Sequence, residues 1–195
     1  MVTYKPSGRL GNALFQMCTA IAYAEKHGLE FTVPDQPTLE KDKKWNPVYF
    51  DNLHKKHKPS KILLIKETEL FRCEPIPFNE SYRDHLIVLQ GYFQNPKYFQ
   101  DYRDVILDKL EVKNVTNPNN VESLVSVHVR RGDYLTIPDK HIVPDKAWYE
   151  KAMSMFPGEV FIFFSDDIDW CVNEFGDRGD CLFMRGNSEL IDLQS

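Results

Sequence analysis

Cysteine is sparse and has no metal-site spacing. Cys18, Cys73, Cys171 and Cys181 are the only four in 195 residues, and none stands in a C-x-x-C pair. With six histidines scattered along the chain, no zinc spacing is present. Four cysteines are too few for a disulfide scaffold, so the expected setting is reduced and cytosolic. A basic excess is also missing. Twenty-four Lys and Arg face 29 Asp and Glu, giving a net charge of −5 and a pI near 5.7. That sign excludes a broad basic surface for nucleic acid. A small basic pocket for a phosphorylated ligand stays compatible with it, because local charge decides such a site. Long apolar runs are absent as well. The longest, residues 160–164, is far below the ~20 residues of a membrane-spanning helix. The opening residues 1–6 are too short and polar for the apolar region of a secretory signal. The sequons at Asn79 and Asn114 are therefore read as chance, and the expected location is cytoplasmic or peripheral to a membrane.

Aromatic residues are plentiful at 13%, with 42% hydrophobic and 27% charged residues, which is ordinary globular usage and argues against disorder. The length suits one domain or one and a part. Strand-like and helix-like segments alternate. A short strand at 2–4 precedes a helix in which Leu10, Leu14, Met17, Ile21 and Ala24 recur at helical spacing, with Gly28 as its stop. Strands are expected at 30–33, 62–65, 86–93, 124–129, 160–164 and 181–184. A helix is expected from Asn95-Pro96 to Leu110, and another at 144–156 with Trp148, Ala152 and Met155 on its apolar face. Shorter helices follow at 167–175 and from 189 to 193. Residues 41–58 read as a surface excursion, and the Asn-rich 114–120 as a linker. Alternation at this spacing predicts an α/β fold with mostly parallel sheet. In such sheets ligands bind beyond the carboxyl ends of the strands.

Four groups of residues fall at such ends. His128-Val129-Arg130-Arg131-Gly132-Asp133 ends the 124–129 strand. A guanidinium there suits a phosphate or carboxylate, and side-chain alternation turns Arg130 and Arg131 to different sides. Ser7-Gly8-Arg9-Leu10-Gly11-Asn12 joins a strand to a helix N-terminus, which favours anions. Ser165-Asp166-Asp167-Ile168-Asp169 follows the most apolar strand. Its acids suit helix capping by Ser165 or Asp166, or, through Asp167 and Asp169, a divalent ion on a diphosphate. Gly91-Tyr92-Phe93-Gln94-Asn95 offers an aromatic ring and amides to a sugar, or simply a strand-to-helix turn. His141 is a lone loop histidine.

Taken in order, Gly8-Arg9-Leu10-Gly11-Asn12-Ala13-Leu14-Phe15-Gln16, Gly91-Tyr92-Phe93-Gln94, His128-Val129-Arg130-Arg131-Gly132-Asp133-Tyr134 and Phe163-Phe164-Ser165-Asp166-Asp167 resemble the GDP-fucose α-1,2-fucosyltransferases of glycosyltransferase family 11. The H-x-R-R-G-D block is shared with α-1,6- and protein O-fucosyltransferases, and the G-x-L-G-N-x-L-F-Q start narrows the resemblance to the α-1,2 type. The family implies a GT-B architecture of two Rossmann-like lobes. Here these are an acceptor-side lobe over 1–117 and a donor-binding lobe over 118–195, the second incomplete. It implies inverting transfer of L-fucose from GDP-β-L-fucose to a galactose 2-hydroxyl of a glycan, without a metal or other cofactor. By position, Arg130 would hold the donor diphosphate and stabilise the departing GDP. His128, Arg131 and Asp133 would shape that site, with Ser165, Asp166 and Asp167 near the nucleotide and Gly8, Gly11 and Asn12 lining the cleft. Arg130 and Asp133 are the expected catalytic residues. The general base stays open among Asp133, Asp139 and His141, and no residue is assigned to the acceptor. Family members carry a further N-S-S-F-S-W-W block, which these 195 residues lack. The expectation is a fragment, a shortened form, or a protein completed by another chain. The alternative function is an inactive nucleotide-sugar-binding or interaction protein, with self-association possible.

Overall fold

The computed structural model describes residues 1–34, 53, 61–110, 124–139 and 141–186. The expected loop at 41–58 (save residue 53), the linker at 114–120 and the helix at 189–193 lie outside the described residues. The chain divides into two compact units, Met1–Asn114 and Val115–Ser195.

The first unit is built on β1 (Val2–Tyr4), β2 (Ile62–Lys66) and β3 (Leu86–Gln90), ordered β1-β3-β2 and all parallel. The helix α1 (Leu10–His27) packs on this sheet, burying Leu10, Met17, Ile21 and Ala24 of the expected stripe together with Ala13 and Ala20, whereas Leu14 is only half-buried. Gly28 ends it in the left-handed conformation (φ 60°), where its N–H reaches back to Ala24 and Glu25 carbonyls. The strand expected at 30–33 reduces to a single parallel bridge between Phe31 and Val2. The strand expected to run to residue 93 stops at Gln90, because Phe93 turns to φ 51° and drives its ring into the core.

The helix expected from Asn95 is broken. Two 3₁₀ turns, Pro96–Tyr98 and Gln100–Tyr102, precede a short α2 (Arg103–Lys109). Phe99 sits between the turns at φ −141°, outside helical geometry. Its ring meets Phe15 of α1 edge-on, while the Tyr98 hydroxyl accepts from the Glu74 N–H and donates to the Arg72 carbonyl. Tertiary anchors here override the helical period.

The second unit contains β4 (Leu124–Val129), α3 (Lys146–Met153), β5 (Val160–Ser165), α4 (Ile168–Phe175) and β6 (Cys181–Phe183). Its strands are parallel in the order β4-β5-β6. Phe161 and Phe163 of β5 enter a core with Val129, Tyr149, Met153, Cys171 and Phe175. Phe163 stacks between Phe175 and Phe183 at 5.0 and 5.3 Å. The apolar face of α3 differs from the expected one. Tyr149 and Met153 are buried, whereas Trp148 is 57% and Met155 75% exposed. Tyr149 sets that rotation by meeting Trp170 and Phe175 of α4 edge-on. Trp148, Ala152 and Phe156 instead line an open apolar groove of about 210 Å³ against β4.

Candidate functional site

The register of the second sheet creates its site. Val129 of β4 pairs with Ser165 of β5, so the two parallel strands end level and their following turns lie side by side. Arg130-Arg131-Gly132 thus meets Asp166-Asp167 across 34 or more residues of sequence. Asp166 Oδ1 accepts from the Arg131 N–H (2.9 Å) and the Gly132 N–H (3.3 Å). Its Oδ2 lies 3.1 Å from Arg130 Nη1. Arg130 Nη2 donates to Asp133 Oδ1 at 2.6 Å, and the guanidinium lies over the Tyr134 ring at 5.4 Å.

Arg131 takes different partners. Its Nε donates to Asp167 Oδ2 at 3.0 Å, and its guanidinium stacks 4.2 Å from the Trp170 ring centroid. Asp167 also caps α4 through Oδ1, which accepts from the Trp170 N–H, and Ser165 Oγ accepts from the Asp167 N–H. The capping reading of this block therefore holds, with Asp167 rather than Ser165 or Asp166 as the cap. Asp169 binds Arg185 Nη1 at 2.6 Å, so Asp167 and Asp169 each face an arginine and do not converge. Among the described residues no group of three or more His, Cys, Asp or Glu could hold a metal ion.

Tyr134 stacks on His141 at 4.0 Å, in a turn (Asp133–Thr136) fixed by the Thr136 hydroxyl donating to the Asp133 carbonyl. Asp139 is exposed in the same loop. His128 takes no part in the arginine network; it is exposed and lines the groove beside α3. The structure thus brings Arg130, Arg131, Asp133, Ser165, Asp166 and Asp167 together and leaves His128 aside. Trp170 is a member that sequence reasoning did not single out, and Tyr134 figured there only as the end of its motif, without a role. Their signal was an aromatic directly following, or four residues past, a motif acid.

In the first unit, strand ends again carry the motif residues. Gly8 adopts φ 79°, and a side chain there would strike Asn12. Asn12 Oδ1 accepts from Gln94 Nε2 at 2.6 Å, joining two sequence blocks 82 residues apart. Gly11 lies in the first turn of α1 with open space beside it. Glu67, just beyond β2, went unnoticed in the sequence. Its carboxylate accepts from the N–H groups of Tyr92 (2.7 Å) and Phe93 (3.1 Å) and so holds the turn that presents Gln94. Gly91 is required there because a Cβ would collide with Glu67. At the other end of this motif, buried Gln16 clasps Ser7: its Oε1 accepts from the Ser7 N–H and its Nε2 donates to the Ser7 carbonyl.

Both units are α/β with a parallel sheet, and in each the motif residues gather at strand ends. The glycosyl transferase family 11 model matches residues 1–195, and the chain belongs to that family. It is 30% identical over 121 residues to an alpha-1,2-colitosyltransferase of Escherichia coli, covering 53% of this chain and 42% of that protein. An O-antigen biosynthesis glycosyltransferase of the same species is 32% identical over 120 residues, 52% of this chain and 39% of its own. A galactoside 2-alpha-L-fucosyltransferase of Mus musculus is 25% identical over 216 residues, covering 94% of this chain and 54% of its own. The chain spans about half the length, or less, of these curated relatives. No solved structure matches it. No helix among the described residues is long and apolar enough to cross a membrane.

Proposed function

We propose that the chain carries the donor site of an α-1,2-fucosyltransferase, which moves L-fucose from GDP-β-L-fucose to the 2-hydroxyl of a galactose on a glycan acceptor. The observation that carries this reading is the Arg130 guanidinium, fixed at the carboxyl end of β4 by Asp166 and Asp133 with N–H donors to spare. The two units correspond, in this reading, to the acceptor-side and donor-side lobes of a GT-B enzyme. The acceptor hydroxyl attacks the anomeric carbon from the face opposite GDP. The bond from that carbon to the diphosphate oxygen breaks, its electron pair leaves with GDP, and the anomeric centre inverts. Arg130 meets the charge that develops on the diphosphate, and such charge stabilisation often dominates transfer chemistry. The hydroxyl proton passes to a base, for which Asp133, Asp139 and His141 are the candidates. Arg131, held by Asp167 and Trp170, flanks the donor site and braces its turn. Metal independence is part of the proposal, since Asp167 and Asp169 are engaged with arginines. Gly8, Gly11, Asn12 and Gln94 belong to the acceptor-side lobe. The location that goes with this chemistry is cytoplasmic or membrane-peripheral.

Calorimetric titration of GDP and GDP-fucose into the chain tests the reading, with Arg130→Ala as the control. Binding that falls at least about tenfold in the variant is expected, the loss typical of a charge-assisted bond to phosphate. Equal affinity in the two proteins would remove Arg130 from the donor site.

A further inference from the structure

Asp166 is the most enclosed carboxylate of the arginine cluster. Its side chain is 22% exposed, against 54% for Asp133. Two backbone N–H groups converging on one oxygen, with a guanidinium beside the other, make a cradle of the kind that holds an anion. Here the protein fills that cradle with its own carboxylate. The fit is close, because a Cβ on Gly132 would stand 2.6 Å from Asp166 Oδ2. Gly132 is thus the floor on which the carboxylate rests. The arrangement also leaves Arg130 able to bind. A guanidinium carries five N–H donors, and the contacts with Asp166 and Asp133 engage Nη1 and Nη2 once each.

We infer that Asp166 is a positioning residue: it sets the shape of the Arg130-Arg131-Gly132 turn and aims the Arg130 guanidinium without touching the donor. This rests on the reading of Arg130 as the diphosphate ligand. Asp166 projects from the end of β5 and reads the turn at the end of β4, so it converts the pairing of the two strands into the orientation of one side chain. The chemistry it serves is recognition of a nucleoside diphosphate, and GDP is the probe.

The test compares the natural chain with Asp166→Ala, Gly132→Ala and the double variant. Amide hydrogen exchange is read at Arg131 and Gly132 without ligand, and GDP affinity by calorimetry. Exchange at those two amides is expected to quicken roughly tenfold or more in Asp166→Ala, while the interior of β4 and β5 stays protected. GDP affinity is expected to fall roughly tenfold in each single variant, the scale of one lost charge-assisted contact. The double variant should bind no more weakly than the weaker single one, because both changes empty the same seat. Sodium formate should restore part of the affinity of Asp166→Ala by entering the vacated cradle, which a loss of global stability would not allow. GDP binding in Asp166→Ala as tight as, or tighter than, in the natural chain overturns the inference, as do additive effects or formate that competes with GDP. Gly132→Ala keeps the carboxylate, so it decides the matter if Asp166→Ala fails to fold. Absence of GDP binding by the natural chain would instead remove the donor reading, and unchanged amide exchange in Asp166→Ala would then remove the inference separately.

Discussion

Replacing Gln16 by leucine removes a reciprocal clasp while keeping the side-chain volume near its natural value. Gln16 is fully buried in α1, and it gives the Ser7 N–H an acceptor at 3.1 Å and the Ser7 carbonyl a donor at 3.0 Å. Leucine provides neither, so two partly buried backbone groups lose their partners. Each net hydrogen bond is worth about 1 kcal/mol, and Ser7 retains some access to water, so the expected cost is about 2 kcal/mol. With a urea dependence of about 2 kcal/mol/M, the midpoint of the first unit's transition should fall by about 1 M. Gln16→Glu is the companion variant. It keeps an acceptor but loses the donor and places a charge in a buried site, so it should cost at least as much. Residue-resolved amide exchange follows Ser7 directly, and urea titration gives the energy. Unchanged Ser7 exchange and a midpoint shift within about 0.2 M for Gln16→Leu would refute the clasp as a source of stability.

Phe163→Ala should cost the second unit about 4 kcal/mol, because a fully buried ring between Phe175 and Phe183 is lost; Trp170 fluorescence during urea unfolding measures it. Burial holds the His27 imidazole below its ordinary value of 6.5, Lys26 and Arg83 add to this, and Glu80 opposes it. The unfolded chain therefore takes up the proton first, so this contribution is complete above pH 6.5 and is lost as pH falls through the folded value. Urea midpoints from about pH 8 to about pH 5 should decline more steeply for the natural chain than for His27→Gln, and parallel curves would contradict this. Burial pushes the Cys18 thiol up to about 11 and raises Cys171 and Cys181 as well, whereas Cys73 is exposed. Among these four, native labelling by iodoacetamide at about pH 8 should therefore modify Cys73 first, as read by peptide mass spectrometry.

Periodicity carried far where the local pattern matched the buried positions. Leu10, Met17, Ile21 and Ala24 of the α1 stripe are buried, and β4 and β5 are short runs that form strands close to the expected bounds. It failed where two faces compete. Adjacent Trp148 and Tyr149 give α3 two nearly equal apolar stripes, and contacts with Trp170 and Phe175 choose between them. Those partners lie 20 or more residues away and leave no local trace. The same holds at Phe99, where a ring contact with Phe15 interrupts what reads as one helix. The site was legible as two motifs, since Arg130-Arg131-Gly132-Asp133 and Ser165-Asp166-Asp167 both end strands. Their mutual arrangement was not, because it follows from pairing Val129 with Ser165. Glu67 was invisible for a further reason. It is a single acid in an ordinary loop, and its role exists only through the amides of Tyr92 and Phe93.

The level ending of β4 and β5 also makes the cluster a proofreader of assembly. A slip of one residue would turn every side chain of β4 to the opposite face. A slip of two would keep the faces but carry the turn about 6.6 Å along the sheet, well beyond hydrogen-bond reach of Asp166. Only the native register lets the Asp166 carboxylate find the Arg131 and Gly132 amides and the Arg130 guanidinium together. A misaligned sheet would part Arg130 from Asp166 and Arg131 from Asp167. The residues proposed to prepare the chain for an anionic ligand thus penalise the wrong sheets, and a chain that has closed this lock has, by the same act, registered β4 against β5.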